Sequence, residues 1–287
     1  MIYSSFGRRI VVMKISRIGI IWNSAKSGAE ACLDTVIAAA EKHGVATQIS
    51  KNHPIDGDVL AGTQICCVIG GDGTILGAVE SAVRNHVPIF GINLGKLGYL
   101  ANYSAENIER DLDDIFNGNY RTVSRTLLEC KFADDPEELR RYALNDIVIK
   151  AWENFQMTAL RVDSVEHGTI NTFRGDGLIF TTPTGSTAYS LGAGGPLIHS
   201  DAEVFALTPL CPHTLSNRAV VFPRNMEIRV DNVSDNVPVG ISLDGNAPLP
   251  GKNAFPLSVK MADERVEILQ PTTLSEFEIL RTKLRWV

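Results

Sequence analysis

The chain has 287 residues, 44% of them hydrophobic and 21% charged. That is enough for one large or two modest domains, and the composition excludes a disordered chain or a coiled-coil rod. Its 27 Lys and Arg against 33 Asp and Glu leave a formal net charge of -6, which gives no counterion-release advantage on a phosphate backbone and argues against nucleic acid as a partner. Five cysteines, odd in number and without a CxxC pair, read as buried reduced thiols of a cytoplasmic protein. The six histidines lack ligand spacing, so no metal ligand is assigned. No segment supplies the ~20 apolar residues of a membrane span, and no membrane partner is expected. The opening residues lack the hydrophobic region of a signal peptide, and Met13 offers an alternative start.

From Ile15 to Asn119, short apolar runs alternate with helical periodicity, the pattern of βα units feeding a parallel sheet. Strands are predicted at Arg17 to Trp22, Val45 to Ser50, Gln64 to Ile69 and Pro88 to Ile92. Leu33, Val36, Ile37 and Ala40 share one helical face, and Gly44 can close that helix. A second helix is predicted from Ile75 to Asn85. A third follows Ser104 as N-cap and stops at Asn117-Gly118.

After Tyr120, Thr, Val and Ile alternate with polar residues between turn signals such as Glu166-His167-Gly168 and Asp244-Gly245. Strands are predicted at Thr122 to Phe132, Arg141 to Ala151, Thr158 to Ser164, Thr169 to Phe173, Leu178 to Thr181, Arg218 to Phe222, Met226 to Val230, Val239 to Leu243 and Leu257 to Leu269. The expected fold is an α/β N-terminal domain with a parallel sheet over residues 1–122, followed by an all-β domain over 123–268.

Gly70-Gly71-Asp72-Gly73-Thr74 follows an apolar strand and precedes a helix. Turns of that kind lie at the carboxyl edge of an α/β sheet, and their glycines let backbone N-H groups approach a phosphate. A carboxylate there would repel phosphate unless it binds Mg²⁺ or takes a proton from an attacking hydroxyl, so Asp72 is the candidate catalytic residue, in a phosphate loop of Gly70, Gly71, Gly73 and Thr74. A bare Asp-Gly turn is the weaker reading of the full string, although it suffices at Asp56-Gly57 and Asp244-Gly245. Gly71, Gly73 and Gly77 make a poor copy of a dinucleotide fingerprint, and no GxxxxGK[ST] string exists.

Asn93 to Gly98 should neighbour that turn on the same sheet edge. Asn93 and Lys96 suit a phosphate or ribose contact about as well as a plain connection. Asn145-Asp146 at a strand start can contact ribose hydroxyls, although taken alone these two residues are better read as a turn. Arg174 to Gly177 and the run Thr181 to Ser190 supply many neutral donors and acceptors plus one aromatic ring. That mixture fits recognition of a purine and its sugar.

Together these strings resemble the NAD kinases: Gly70 to Thr74, Gly91 to Leu100, Asn145-Asp146, Asp176 to Ser190, Pro212 to Leu215 and Leu280 to Leu284. The first is shared with lipid kinases and, in close form, phosphofructokinases, whereas the Thr-Pro-Thr-Gly-Ser-Thr-Ala-Tyr-Ser run is far more specific. The resemblance implies transfer of the γ-phosphate of ATP, or of polyphosphate, to the 2'-hydroxyl of the adenosine ribose of NAD, assisted by Mg²⁺. It implies a final segment, 269–287, that returns to the first domain, and a homodimer or homotetramer. It makes Asp72 the catalytic carboxylate and assigns dinucleotide contacts to Asp72, Gly73, Asn145, Asp146, Gln156, Arg174, Asp176, Thr187, Ala188, Tyr189, Ser190 and Asn246. Asn246 stands where relatives often carry Gln, which shortens its reach. Lipid or sugar kinases and a non-catalytic dinucleotide sensor explain fewer of these residues.

Overall fold

The apolar run Ile65-Cys66-Cys67-Val68-Ile69 is buried along its whole length, which is how a central parallel strand covered on both faces reads in sequence. It forms β3 (Ile65–Gly70), flanked by β1 (Arg17–Trp22) and β4 (Ile89–Asn93), with β2 (Ala46–Ser50) beyond β1. These four strands are parallel. The structure, a computed structural model, describes residues 15–50, 59–95, 98–152, 156–234, 237–251 and 254–286. Met13, the Asp56-Gly57 turn and Lys96 lie outside them.

The chain divides into two compact units, Met1–Ile75 with Val87–Val123 and Ile268–Val287, and Leu76–His86 with Ser124–Glu267. In the first, α1 (Ala29–Lys42) buries Cys32, Leu33, Val36 and Ala40, as the apolar spacing requires, and Gly44 takes a left-handed φ of 67° after its last turn. A second helix, α2 (Asp72–Asn85), follows β3 directly. After β4 come β5 (Tyr103–Ser104), a 3₁₀ turn capped by the Ser104 hydroxyl, and α3 (Ile108–Phe116). Ile18, Ile20, Cys67, Ile69, Phe90 and Ile92 of the sheet share one core with α1 and α3.

The second unit is built of antiparallel strands. They are β6 (Arg121–Lys131), β7 (Arg141–Ala143), β8 (Asp146–Ala151), β9 (Thr158–Ser164), β10 (Gly168–Gly175) and β11 (Gly177–Thr181), then the short α4 (Tyr189–Gly192), then β12 (Val204–Leu210), β13 (Val220–Pro223), β14 (Ile228–Asn232), β15 (Val239–Leu243), β16 (Leu249–Pro250) and β17 (Leu257–Gln270). One layer runs β10-β9-β14-β17, and the other is a six-stranded sheet in the order β13-β12-β11-β8-β15-β16. Leu160, Val162, Ile228, Val230 and Val259 of the first layer join Ile147, Ile149, Phe180, Phe205 and Ile241 of the second in a separate core. In β9 every second residue, from Thr158 to Ser164, is buried, the period-2 pattern of a half-covered strand.

Two corrections to the sequence reading bear on function. The single strand predicted from Arg141 to Ala151 is broken at Leu144-Asn145 into β7 and β8, because the amides there are drawn to the Asp244 carboxylate. The sequence also gave no strand at Val204–Leu210, since Pro209 interrupts an unalternating apolar run. Pro209 is tolerated because it pairs with Leu178 on one side and lies beyond the last residue paired with β13 on the other.

The final residues return to the first unit: Ile268 of β17 pairs in parallel with Ile89, and Arg121 donates to the Gln270 side chain and the Leu274 carbonyl. α5 (Glu276–Leu284) follows, and its Lys283 ammonium lies 5.9 Å from the centre of the Tyr99 ring. Four cysteines are free and buried; Cys211 is exposed, contrary to the expectation of uniformly buried thiols, because it occupies a left-handed corner (φ 42°) just past β12. Among the described residues, no helix is long and apolar enough to cross a membrane.

Candidate functional site

In the first unit, the Gly70 to Thr74 string is more helix than loop, which corrects the sequence reading. Gly70 ends β3, Gly71 alone links, and Asp72 begins α2, three residues before the predicted start at Ile75. The reason is local. The Gly71 carbonyl accepts from the Thr74 and Ile75 amides, and the Thr74 hydroxyl approaches the Gly71 N-H at 3.4 Å, a reciprocal cap that apolar periodicity does not report. Any side chain on Gly70 would overlap the Thr74 hydroxyl, so glycine is required there. The Asp72 and Gly73 amides find no acceptor among the described residues, and a side chain at Gly73 would meet no protein atom. An open helix N-terminus with free N-H groups suits an anion.

The Asp72 carboxylate accepts three consecutive backbone amides, from Tyr99 at 2.9 Å, Leu100 at 3.1 Å and Ala101 at 3.0 Å. Gly98 admits it, since a Cβ at that position would overlap the carboxylate. Asp72 thus shapes the loop after β4 as well as facing the helix N-terminus. Asn93 is paired with Gly70 across the two strand ends, and its side chain accepts the Gly95 amide at 2.8 Å. Burial and the Asp72 charge raise the Tyr99 phenol above its ordinary range.

Sequence reasoning missed Lys26. The turn after β1 is pinned by the Asn23 amide on the Ile69 carbonyl and by the Asn23 side chain, which accepts from Ala25. It carries the Lys26 ammonium to 3.7 Å from where a Gly71 side chain would begin. The signal available in the sequence was a Lys in the turn that follows a predicted strand.

In the second unit, three strings converge on one sheet edge, because β8 lies between β11 and β15 and runs antiparallel to both. Thr181 is paired with Asp146, and Leu243 with Ile147. The Leu144 carbonyl accepts from the Thr182 hydroxyl. The Asn145 carbonyl accepts from the Thr181 hydroxyl and the Thr182 amide. The Leu144, Asn145 and Asp146 amides all donate to Asp244, at 2.7, 2.6 and 3.1 Å. Gly185 lies so close to the Asn145 backbone that no side chain fits between them. Asp244 therefore does more than make a turn. Burial, and secondly the Asp244 charge, push the Asp146 carboxyl up to about 7. Burial also raises Asp244, against the pull of its three amide donors.

Thr184–Thr187 forms a 3₁₀ turn beside this corner, with the Thr187 hydroxyl donating to the Thr184 carbonyl. Ala188 links that turn to α4. Tyr189 is exposed, whereas Ser190 is fully buried with its hydroxyl 3.0 Å from that of Thr208. Asn246 sits exposed in the turn after β15, its amide donating to the Leu243 carbonyl. The fold does not bring Arg174 and Asp176 to this edge: they flank Gly175 at the other end of β11, where the Asp176 amide donates to the Leu210 carbonyl. Gln156 is exposed just before β9. Among the described residues, no three His, Cys, Asp or Glu side chains cluster to hold a metal ion.

Two family models match the chain, the ATP-NAD kinase N-terminal domain over residues 23–120 and the ATP-NAD kinase C-terminal domain over residues 144–270. The NAD kinase of Clostridium beijerinckii is 32% identical over 273 residues, covering 94% of this chain and 96% of its own. The chain belongs to the NAD kinase family. The NAD kinase of Magnetococcus marinus is likewise 32% identical, over 86% of this chain and 82% of its own. The fold is that of yeast NADH kinase, solved with NADH (TM-score 0.83, 21% identity, 95% of this chain and 88% of that one). It is also that of the Archaeoglobus fulgidus NAD kinase, solved with ATP (TM-score 0.78, 22% identity, 94% of this chain and 99% of that one).

Proposed function

We propose that the chain transfers the γ-phosphate of ATP to the 2'-hydroxyl of the adenosine ribose of NAD, forming NADP. The observation that carries this is similarity to an NAD kinase over 94% of the chain, through both matched domains. In this reading the free amides of Asp72 and Gly73 at the start of α2 receive a phosphate of the donor, with the Lys26 ammonium beside them. Asp72 accepts the proton of the attacking hydroxyl.

Asn145 and Asp146 hold ribose and phosphate, while Gln156, Thr187, Ala188, Tyr189, Ser190 and Asn246 serve the nucleosides; Arg174 and Asp176, at the far end of β11, take no part at this edge. The burial of the Ser190 hydroxyl limits its share to a backbone contact. The described residues form no metal cage of their own, so magnesium belongs to the reading as the MgATP substrate, held by the donor's phosphates. Homodimers or homotetramers complete the proposal, consistent with the second sheet ending in β13 and β16, each paired on one side.

The test is incubation of the pure protein with NAD, MgATP and, separately, polyphosphate, with NADP read by an NADP-specific dehydrogenase. NADP that depends on ATP supports the reading. Its absence from folded protein with either donor refutes it. Sedimentation velocity checks the oligomer.

A further inference from the structure

The corner Leu144-Asn145-Asp146 interrupts β7 and β8, and its backbone polar groups are fully accounted for. Its carbonyls go to the Thr181 and Thr182 hydroxyls, the Thr182 amide and, from Asp146, the Asp244 amide. Its three N-H groups converge on one side chain, Asp244, which itself stands in the left-handed region with φ 53°. Three amides pointing to one side repel each other unless an anion or dipole gathers them, and a carboxylate supplies that centre of charge. Without it, Leu144 and Asn145 would have no reason to leave the strand ladder.

Accordingly, we propose that Asp244 is a positioning residue of the dinucleotide site: its carboxylate sets the backbone of Asn145 and Asp146, and through it the direction of the two side chains that meet the ribose. This rests on the assignment of Asn145 and Asp146 to NAD. Asp72 uses the same device on Tyr99, Leu100 and Ala101, so each unit holds a candidate ligand-facing loop by one carboxylate under three amides.

The geometry selects the variants. Asp244→Gly removes the carboxylate while keeping a residue that accepts positive φ, and Asp244→Asn keeps the shape and one acceptor oxygen. In the full-length protein, hydrogen exchange at the amides of Leu144, Asn145 and Asp146 should accelerate from wild type to Asn to Gly. The Kd for NAD should rise in the same order, by about 10- to 100-fold in the Gly variant for a misplaced contact. The Kd for ATP should stay within about twofold, since the donor is assigned to the other unit.

Unchanged exchange at the three amides, or unchanged NAD affinity where exchange has accelerated, would overturn the proposal. Parallel loss of NAD and ATP affinity would also overturn it, as the mark of general destabilisation. If the Gly variant fails to fold, the Asn variant is decided by the same readings. A wild-type protein that bound NAD without forming NADP would defeat the functional reading while leaving these affinities to judge Asp244.

Discussion

Substituting Asp72 by Asn perturbs two things that the structure allows to be separated. The carboxylate gathers the Tyr99 amide on one oxygen and the Leu100 and Ala101 amides on the other. In the amide variant the oxygen can keep the latter pair, leaving an NH2 group against the Tyr99 N-H. The loss is one charge-assisted hydrogen bond plus a donor-donor clash, about 2 to 3 kcal/mol, or a fall in Tm of roughly 3 to 5 °C for a chain of this size. If Asp72 also takes the proton of the 2'-hydroxyl, kcat should fall about 10²- to 10⁴-fold, beyond what a tilted loop explains. Gly98→Ala supplies the comparison, since its Cβ displaces the carboxylate from the loop without changing its chemistry. Initial rates of NADP formation with saturating NAD and MgATP, together with melting curves, give both numbers. An Asp72→Asn enzyme with wild-type kcat would refute a catalytic Asp72, and an unchanged Tm would refute its role in holding the loop.

Three further outcomes are expected. The Asp146 carboxyl is raised to about 7 by burial and by Asp244, so the folded state binds its proton more tightly than the unfolded chain does. Its contribution to stability is full below an unfolded pKa of about 4 and is lost as pH rises through 7. Asp146→Asn should flatten that fall in Tm between pH 5 and 8, and parallel slopes for the two proteins would contradict it. Gly185→Ala forces a methyl into the Asn145 backbone, which no rotamer change can relieve. It should cost at least about 1 to 3 kcal/mol by urea unfolding and weaken NAD binding; a neutral effect on both would count against the packed corner. Of the free thiols, Cys211 should react with a thiol reagent in the native protein, while Cys32, Cys66, Cys67 and Cys130 should wait for unfolding. Rapid native labelling of Cys66 would contradict its burial.

Long periodic elements were legible because their residues answer to local rules. β1, β9 and β15 fall on the predicted residues, and the α1 face follows its apolar spacing. β12 was not, because Pro209 spoils a strand pattern that only a one-sided pairing excuses. The site strings were legible as composition: glycines and a carboxylate after a buried strand, hydroxyls beside a Tyr. What they bond to was not legible. That Asp72 and Asp244 each gather three amides depends on partners 27 to 29 and 98 to 100 residues away in sequence, which no local pattern encodes. Ser190 shows the converse: a hydroxyl in the most ligand-like string is spent on Thr208 inside the fold. Arg174 and Asp176 lie close to that string in sequence yet at the far end of β11, because an antiparallel strand carries its two ends to opposite edges.

Phosphate transfer from ATP to NAD is one chemical event, and a single progress curve reads it. Pure protein incubated with NAD and MgATP should release ADP and form NADP in equal amounts, with neither appearing when NAD is left out. ADP release independent of NAD, or NAD bound and recovered unchanged by a folded protein, would contradict it.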